Sequence, residues 1–220
     1  MPHRFRRLFA AVCLLAAPFF YVAGVLVDPA LRAGDAADGA YGRHPGQVSV
    51  SAALLHWSWV LLVPGIIGMI HMVRRRALVF GHVAGAAALL GIVNFSALML
   101  GDYFYARLER QFGPELGSRL ADEALAFDGA RWGFQVPGFV GLLGVLLLGL
   151  ALAANRQAPW WASAAMVIGA LTAPIYPIGM VLGSLLYIAG AGAIGLRMLR
   201  MSDAEWAQEP AENGKVAVTA

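Results

Sequence analysis

The chain has 220 residues, of which 60% are hydrophobic and only 13% are charged, and its mean hydropathy is +0.68. A soluble globular domain carries about a quarter charged residues, so this composition excludes a water-soluble fold and predicts a membrane protein. The net charge of +3 comes from basic residues gathered at the ends of apolar runs, which predicts no nucleic-acid partner.

Six apolar runs predict six transmembrane helices, since one crossing of the hydrocarbon core takes roughly 20 apolar residues. In chain order they are residues 8–27, 51–73, 77–101, 133–154, 160–175 and 178–196. The last two runs are separated by the sequence PIYP, whose prolines remove backbone donors and predict a tight turn. The predicted fold class is therefore an all-α, polytopic membrane helical bundle.

Two segments between the spans are less apolar. Residues 28–50 are rich in Gly, Ala, Asp and Pro, which predicts an irregular loop. In residues 102–132, Leu116, Leu120 and Phe127 recur at helical spacing among charged residues, which predicts an amphipathic extracytoplasmic helical cap. After a transmembrane domain of residues 1–201, the small and polar residues 202–220 predict a disordered cytoplasmic tail.

The distribution of Lys and Arg predicts the orientation of the bundle, because cytoplasmic loops retain these residues. One set of span ends carries ten Lys and Arg residues against four acidic residues, and the opposite set carries six against nine. Both termini are therefore expected in the cytoplasm. The segment 1–24 is also similar to a secretory signal peptide, but its apolar run is longer than a signal core, so an uncleaved span is favoured over cleavage.

Histidines in the second and third predicted spans raise the question of a cofactor. His56 and His71 are separated by about 22 Å along a helix, and the only other span histidine is His82. One haem held by His71 and His82 is therefore conceivable, whereas two bis-histidine haems are not. Imidazoles at a membrane interface need no cofactor, and Cys13 is the only cysteine, so the expectation is a protein with no metal and no cofactor.

Six polar residues lie within about 10 Å of the same predicted membrane surface. Polar groups at membrane depth are costly and usually face the bundle interior or water, so several are expected to converge. The candidate catalytic residues are His56, Asp102 and Asn94, and the candidate ligand-binding residues are Gln135, Thr172 and Tyr176. A histidine and a carboxylate beside a lipid chain can perform acid–base chemistry, although hydrogen bonding between helices explains the same residues without it.

The sequence carries HPG before the second span, LLVPG within it, RRR after it, and the closing GLRMLRMSDAEW. In these motifs it resembles the uncharacterised multi-span integral membrane proteins of high-GC Gram-positive bacteria. The resemblance extends across most of the chain and implies a multi-pass protein of the bacterial inner membrane, without an established activity.

No complete catalytic set is visible in the sequence, so a non-enzymatic protein is the leading hypothesis. Its expected role is accessory, sensory or partner-binding, and its expected partners are the lipid bilayer and a lipid-like ligand or another membrane protein. The alternative is a membrane-embedded enzyme that acts on a lipid-like or isoprenoid substrate through the polar pocket near the outer surface. A second alternative is a single b-type haem protein.

Overall fold

The computed structural model describes residues 2–33, 39–74, 76–175 and 177–207, and every regular element in these ranges is helical. In chain order the helices are α1 (Pro2–Val27), α2 (Pro29–Ala33), α3 (Ala40–Arg43), α4 (Pro45–Met72), α5 (Leu78–Leu98), α6 (Leu100–Phe112), α7 (Pro114–Leu125), α8 (Asp128–Ala130), α9 (Val136–Ala154), α10 (Trp160–Thr172), α11 (Ile178–Arg200) and α12 (Asp203–Ala207). A π-helical turn, Arg131–Gln135, joins α8 to α9.

Five helical stretches in the described part of the chain are long and apolar enough to cross a membrane. They are His3–Val27, Pro45–Met72, Leu78–Phe112, Asp128–Ala154 and Ile178–Arg200. The fifth predicted span, residues 160–175, corresponds to α10, which is apolar but has only 13 residues. The prediction of an all-α bundle with membrane-spanning helices is confirmed to this extent.

The long helices pack against each other in antiparallel pairs, which gives the bundle two distinct ends. Along α1 and α4, Gly24 lies beside Leu55 and Gly68 lies beside Ala10. We call the end where α1 begins and where α4 and α11 finish the terminal end. The opposite end, which carries α2, α3, α6 and α7, is the cap end.

The closest backbone contact in the bundle lies between α5 and α9. A Cβ atom added to Gly91 would lie 2.2 Å from the Cα of Gly141 and 2.5 Å from the carbonyl oxygen of Pro137. Helices in a lipid environment associate through such small residues, because no hydrophobic effect drives them together. Glycine at these two positions therefore sets the separation of α5 and α9.

The segment 102–132 is helical, but it forms two helices where the sequence predicted one. Helix α6 continues the direction of α5, and Gly113, with φ of 88°, separates it from α7. The buried carboxylate of Glu109 accepts a hydrogen bond from the backbone N–H of Gly42 (2.6 Å) and another from the Ser118 hydroxyl (2.9 Å). This one side chain thus connects α3, α6 and α7 into the cap.

The prediction of an irregular loop over residues 28–50 is wrong for most of that segment, because α2, α3 and the first turns of α4 lie within it. The Asp28 carboxylate caps α2 by accepting hydrogen bonds from the N–H groups of Ala30 (2.9 Å) and Leu31 (3.4 Å). Pro29 and Pro45 occupy first helical positions, where a missing N–H has no consequence. Residues 34–38 of the predicted loop lie outside the described residues.

The predicted start of a disordered tail at residue 202 is too early. Helix α12 folds back on the terminal end, where Trp206 is only 3% exposed. The guanidinium of Arg7 donates hydrogen bonds to the carbonyls of Met198 (3.3 Å), Leu199 (2.9 Å) and Met201, and it forms an ion pair with Asp203 (2.8 Å). These contacts hold residues 202–207 in place, and residues 208–220 lie outside the described residues.

Candidate ligand-binding site

A cavity of about 310 Å³ lies at the cap end of the bundle, between α1, α4, α5, α6, α9 and α10. Most of its wall is apolar, and five aromatic side chains contribute to it: Tyr21, Tyr41, Trp59, Phe95 and Phe139. The polar part of the wall consists of Asp28, Tyr41 and Asp102. Pockets of this size and composition are typical of small-molecule sites, in which a few polar groups orient a mainly apolar ligand.

The aromatic rings of the wall contact each other in a continuous series. Tyr21 lies edge to face with Trp59, with a centroid distance of 5.5 Å, and Trp59 stacks on Phe95 at 5.1 Å. Phe95 in turn lies edge to face with Phe139 at 5.6 Å. Such ring pairs stabilise the packing by about 0.5–1.5 kcal/mol each beyond burial. The cavity wall is therefore a continuous aromatic surface to which four long helices contribute: α1, α4, α5 and α9.

Two buried polar groups near this surface have no hydrogen-bond partner among the described residues. They are the indole nitrogen of Trp59, a residue only 5% exposed, and the hydroxyl of Tyr187, a residue only 1% exposed. Both side chains line a small void of about 10 Å³ beneath the cavity, and Trp59 also lines the cavity itself. Both atoms are closed off from solvent, so neither is exposed to the cavity.

The carboxylate of Asp28 is buried at the rim of the cavity. Its second oxygen accepts a hydrogen bond from the Tyr41 hydroxyl at 3.1 Å, in addition to the two backbone bonds that cap α2. Burial raises the pKa of Asp28, although these hydrogen bonds oppose the shift. The pKa of Tyr41 is also raised, first by burial and then by the negative charges of Asp102 and Asp28. The rim is thus a desolvated region of negative potential.

The raised pKa of Asp28 predicts how the stability of the protein depends on pH. Burial disfavours the ionised carboxylate in the folded protein, so it lowers the stability of the protein at a pH above the raised pKa. This loss of stability disappears below about pH 4, where Asp is protonated in both the folded and the unfolded state. We expect Asp28→Asn, which keeps the oxygen that caps α2, to raise the Tm of the ligand-free protein at pH 8. The gain should shrink as the pH falls towards 4.

Thermal unfolding of the two proteins in uncharged detergent, measured across this pH range, checks the expectation. Glu123→Gln is the control, because Glu123 is an exposed acid of the cap outside the cavity, paired only with Arg119 at 3.8 Å. A Tm difference between Asp28→Asn and wild type that is constant with pH would contradict the burial argument.

His56 and Asp102, which the sequence suggested as an acid–base pair, line different cavities. His56 lies in a second cavity of about 240 Å³ between α4, α5 and α6, where Nδ1 is 2.8 Å from the Ser96 hydroxyl. Asp102 lines the aromatic cavity, and Met99 borders both cavities. The structure therefore does not bring the imidazole and the carboxylate to one reacting centre.

The other candidate residues are also dispersed. The amide of Asn94 donates to the Leu90 carbonyl (2.7 Å), and the hydroxyl of Thr172 donates to the Ile168 carbonyl (2.8 Å), so both are bonded within their own helices. The Gln135 amide donates to the carbonyl of Leu125 at 3.1 Å. Tyr176 lies outside the described residues. None of the three described residues lines the aromatic cavity.

The two histidines considered for haem have backbone partners. Nε2 of His71 is 2.7 Å from the Trp206 carbonyl, and Nδ1 of the exposed His82 is 2.8 Å from the Leu78 carbonyl. His71 borders a cavity of about 350 Å³ at the terminal end, together with Arg6 and Trp206. In the described ranges, no group of three or more His, Cys, Asp or Glu side chains is placed to hold a metal ion.

Sequence reasoning identified Asp102 but missed Asp28, Tyr41 and the aromatic wall. The sequence did contain a signal for Asp28, which is followed by a proline at the end of an apolar run. In such a pair the Asp is a typical helix N-cap and the Pro a typical first helical residue. The aromatic residues gave no such signal, since rings in apolar spans are equally expected in ordinary helix packing. Comparisons with protein-family models, with curated proteins and with solved structures find no match to this chain.

Proposed function

We propose that this chain is a multi-pass membrane protein that binds a lipid-like amphiphile in the aromatic cavity and serves as an accessory or sensory protein. The observation that carries the proposal is the cavity itself, with an apolar aromatic wall and carboxylates confined to its rim. An amphiphile has the same division between an apolar body and a polar head.

The proposed topology has six crossings, with both termini in the cytoplasm of a bacterial inner membrane. Helix α9 ends at the terminal end, where the Asn155 amide donates to the Arg76 carbonyl, and α11 begins at the cap end. Helix α10 lies antiparallel to α11, with Ala162 beside Gly190 and Ala173 beside Gly183, so it returns the chain through the bundle although it is short. The excess of Arg at the terminal end favours a cytoplasmic location for that end.

A binding role is favoured over the two alternatives by the placement of the polar residues. The enzyme hypothesis needs His56 and Asp102 to act on one substrate, and they line separate cavities. The haem hypothesis needs free imidazole nitrogens facing each other, whereas His82 is exposed and bonded to its own helix. Neither alternative gains a supporting observation, so the binding role is the one we develop.

The proposal is tested by native mass spectrometry of the protein released from uncharged detergent after loading with a bacterial lipid extract. Leu31→Trp enlarges a half-buried side chain of the cavity wall and should abolish the bound amphiphile. Leu143→Trp makes the same change at an exposed position of α9 outside the cavity, and should leave binding unchanged. Equal amounts of bound amphiphile in wild type and Leu31→Trp would contradict the proposal.

A further inference from the structure

We propose that the molecule bound in the aromatic cavity is an organic cation, an amphiphile with an amine or quaternary ammonium head. This inference rests on the proposed function, because it assigns the chemistry of the ligand of that same site. It follows from two features of the wall: its acidic residues and its aromatic rings.

The charge of the wall is entirely negative. Asp28 and Asp102 are its only charged residues, and none of the described residues lining the cavity is Lys, Arg or His. Asp28 is 4% exposed, so its charge is poorly solvated, and in the described chain it accepts hydrogen bonds from uncharged donors, two backbone N–H groups and the Tyr41 hydroxyl. Buried charges in proteins are normally paired, because an unpaired one loses its hydration without compensation. A cationic head placed at the rim supplies the missing opposite charge.

The aromatic rings next to these carboxylates suit the same head group. Tyr21, Trp59, Phe95 and Phe139 surround the cavity in one contacting series. The faces of aromatic rings attract cations, and cages of such rings beside a carboxylate recognise quaternary ammonium groups in other proteins. A neutral apolar ligand would make use of these rings but would leave both carboxylates unpaired.

A metal ion fits this wall less well than an organic cation. Hard cations such as Ca²⁺ take about six to eight oxygen ligands, and Mg²⁺ requires a nearly ideal octahedron. The described lining offers two carboxylates and the two phenols of Tyr21 and Tyr41, and every other side chain in it is apolar or aromatic. A small organic molecule, by contrast, has a volume and an apolar surface that fit a cavity of about 310 Å³ with such walls.

The experiment compares two esters of the same shape. Hexanoylcholine carries the cation, and neohexyl hexanoate replaces its nitrogen with carbon, so only the charge differs. Binding is measured by isothermal titration calorimetry of the full chain in uncharged maltoside micelles. We expect wild type to bind hexanoylcholine at least about tenfold more tightly than the neutral ester. Asp28→Asn combined with Asp102→Asn should remove this difference, and Glu123→Gln should keep it.

If the double Asn variant elutes as an aggregate or loses its helical circular dichroism, Asp102→Asn alone replaces it, because it leaves Asp28 and its hydrogen bonds unchanged.

Equal affinity of wild type for the two esters would overturn the cation assignment and leave the proposed binding function standing. Binding of the neutral ester alone, or tighter binding of free hexanoate, would do the same. If neither ester binds and native mass spectrometry shows no bound amphiphile, the proposed function itself fails. Loss of the charge preference in Glu123→Gln would show that the net charge of the cap, and not the cavity pair, selects the cation.

Discussion

Gly91→Ala is expected to lower the Tm of the protein markedly and to reduce its yield in detergent. The added methyl group would lie 2.2 Å from the Cα and 2.5 Å from the backbone nitrogen of Gly141, so α5 and α9 must separate before it fits. The backbone of Gly141 cannot rotate away from the added methyl group as a flexible side chain could. Overpacking of this kind typically costs about 1–3 kcal/mol, and a contact between two backbones belongs at the upper end of that range.

Gly192→Ala is the matched control, because Gly192 lies inside α11 and nothing is within 4 Å of the Cβ that alanine would add. Both substitutions gain the same helix propensity, about 1 kcal/mol relative to glycine, so the difference between them reports packing alone. Thermal unfolding of the two variants in one detergent gives the comparison. Similar Tm values for both variants would show that α5 and α9 do not meet at Gly91 and Gly141.

Arg7→Leu is expected to release the end of the chain from the terminal end of the bundle. The Arg7 side chain is buried, and it satisfies carbonyl groups of Met198, Leu199 and Met201 that α11 leaves without intrahelical donors. Hydrogen bonds to charged groups contribute about 1.5–3 kcal/mol each, so we expect a loss of about 3 kcal/mol in the stability of this region.

Limited proteolysis with trypsin measures the effect. Cleavage after Arg197, whose guanidinium is paired with Glu205 of α12, should become much faster in Arg7→Leu. Arg4→Leu is the control, because Arg4 is an exposed residue of the same helix, and its loss should leave the cleavage rate unchanged. Equal rates in wild type and Arg7→Leu would contradict the assigned role of this guanidinium.

The apolar runs predicted most of the bundle, because length and composition are local properties. The run 8–27 corresponds to α1 and the run 178–196 to α11, each with extra turns at the basic end. These extra turns carry residues such as Arg7 and Arg197, whose charges made them look like loop residues in the sequence. Arg7 and Arg197 instead form ion pairs with Asp203 and Glu205 of α12. No local pattern in the sequence contains the contact between Arg7 and α12.

The site was harder to predict, because its residues are brought together only by packing. Position along a span placed His56 and Asp102 at a similar depth, but depth does not say which way a side chain faces around its helix. His56 faces Ser96 on α5, while Asp102 shares a cavity with Asp28, 74 positions away by residue number. Asn94 and Thr172 bond to their own helices, an outcome that spacing along the chain cannot distinguish from a contact between helices.

The continuity of α5 with α6 bears on how the proposed ligand would reach its site. The combined stretch Leu78–Phe112 has 35 residues, about 52 Å at 1.5 Å per residue, against a hydrocarbon core of about 30 Å. Asp102 is 24 residues from Leu78, about 36 Å along this axis, so it lies just beyond the hydrocarbon, in the polar interfacial region, when α5 begins at the opposite interface. Under the proposed binding function, an amphiphile whose head lies in that region of the leaflet would reach the cavity by lateral diffusion, without passing through bulk water.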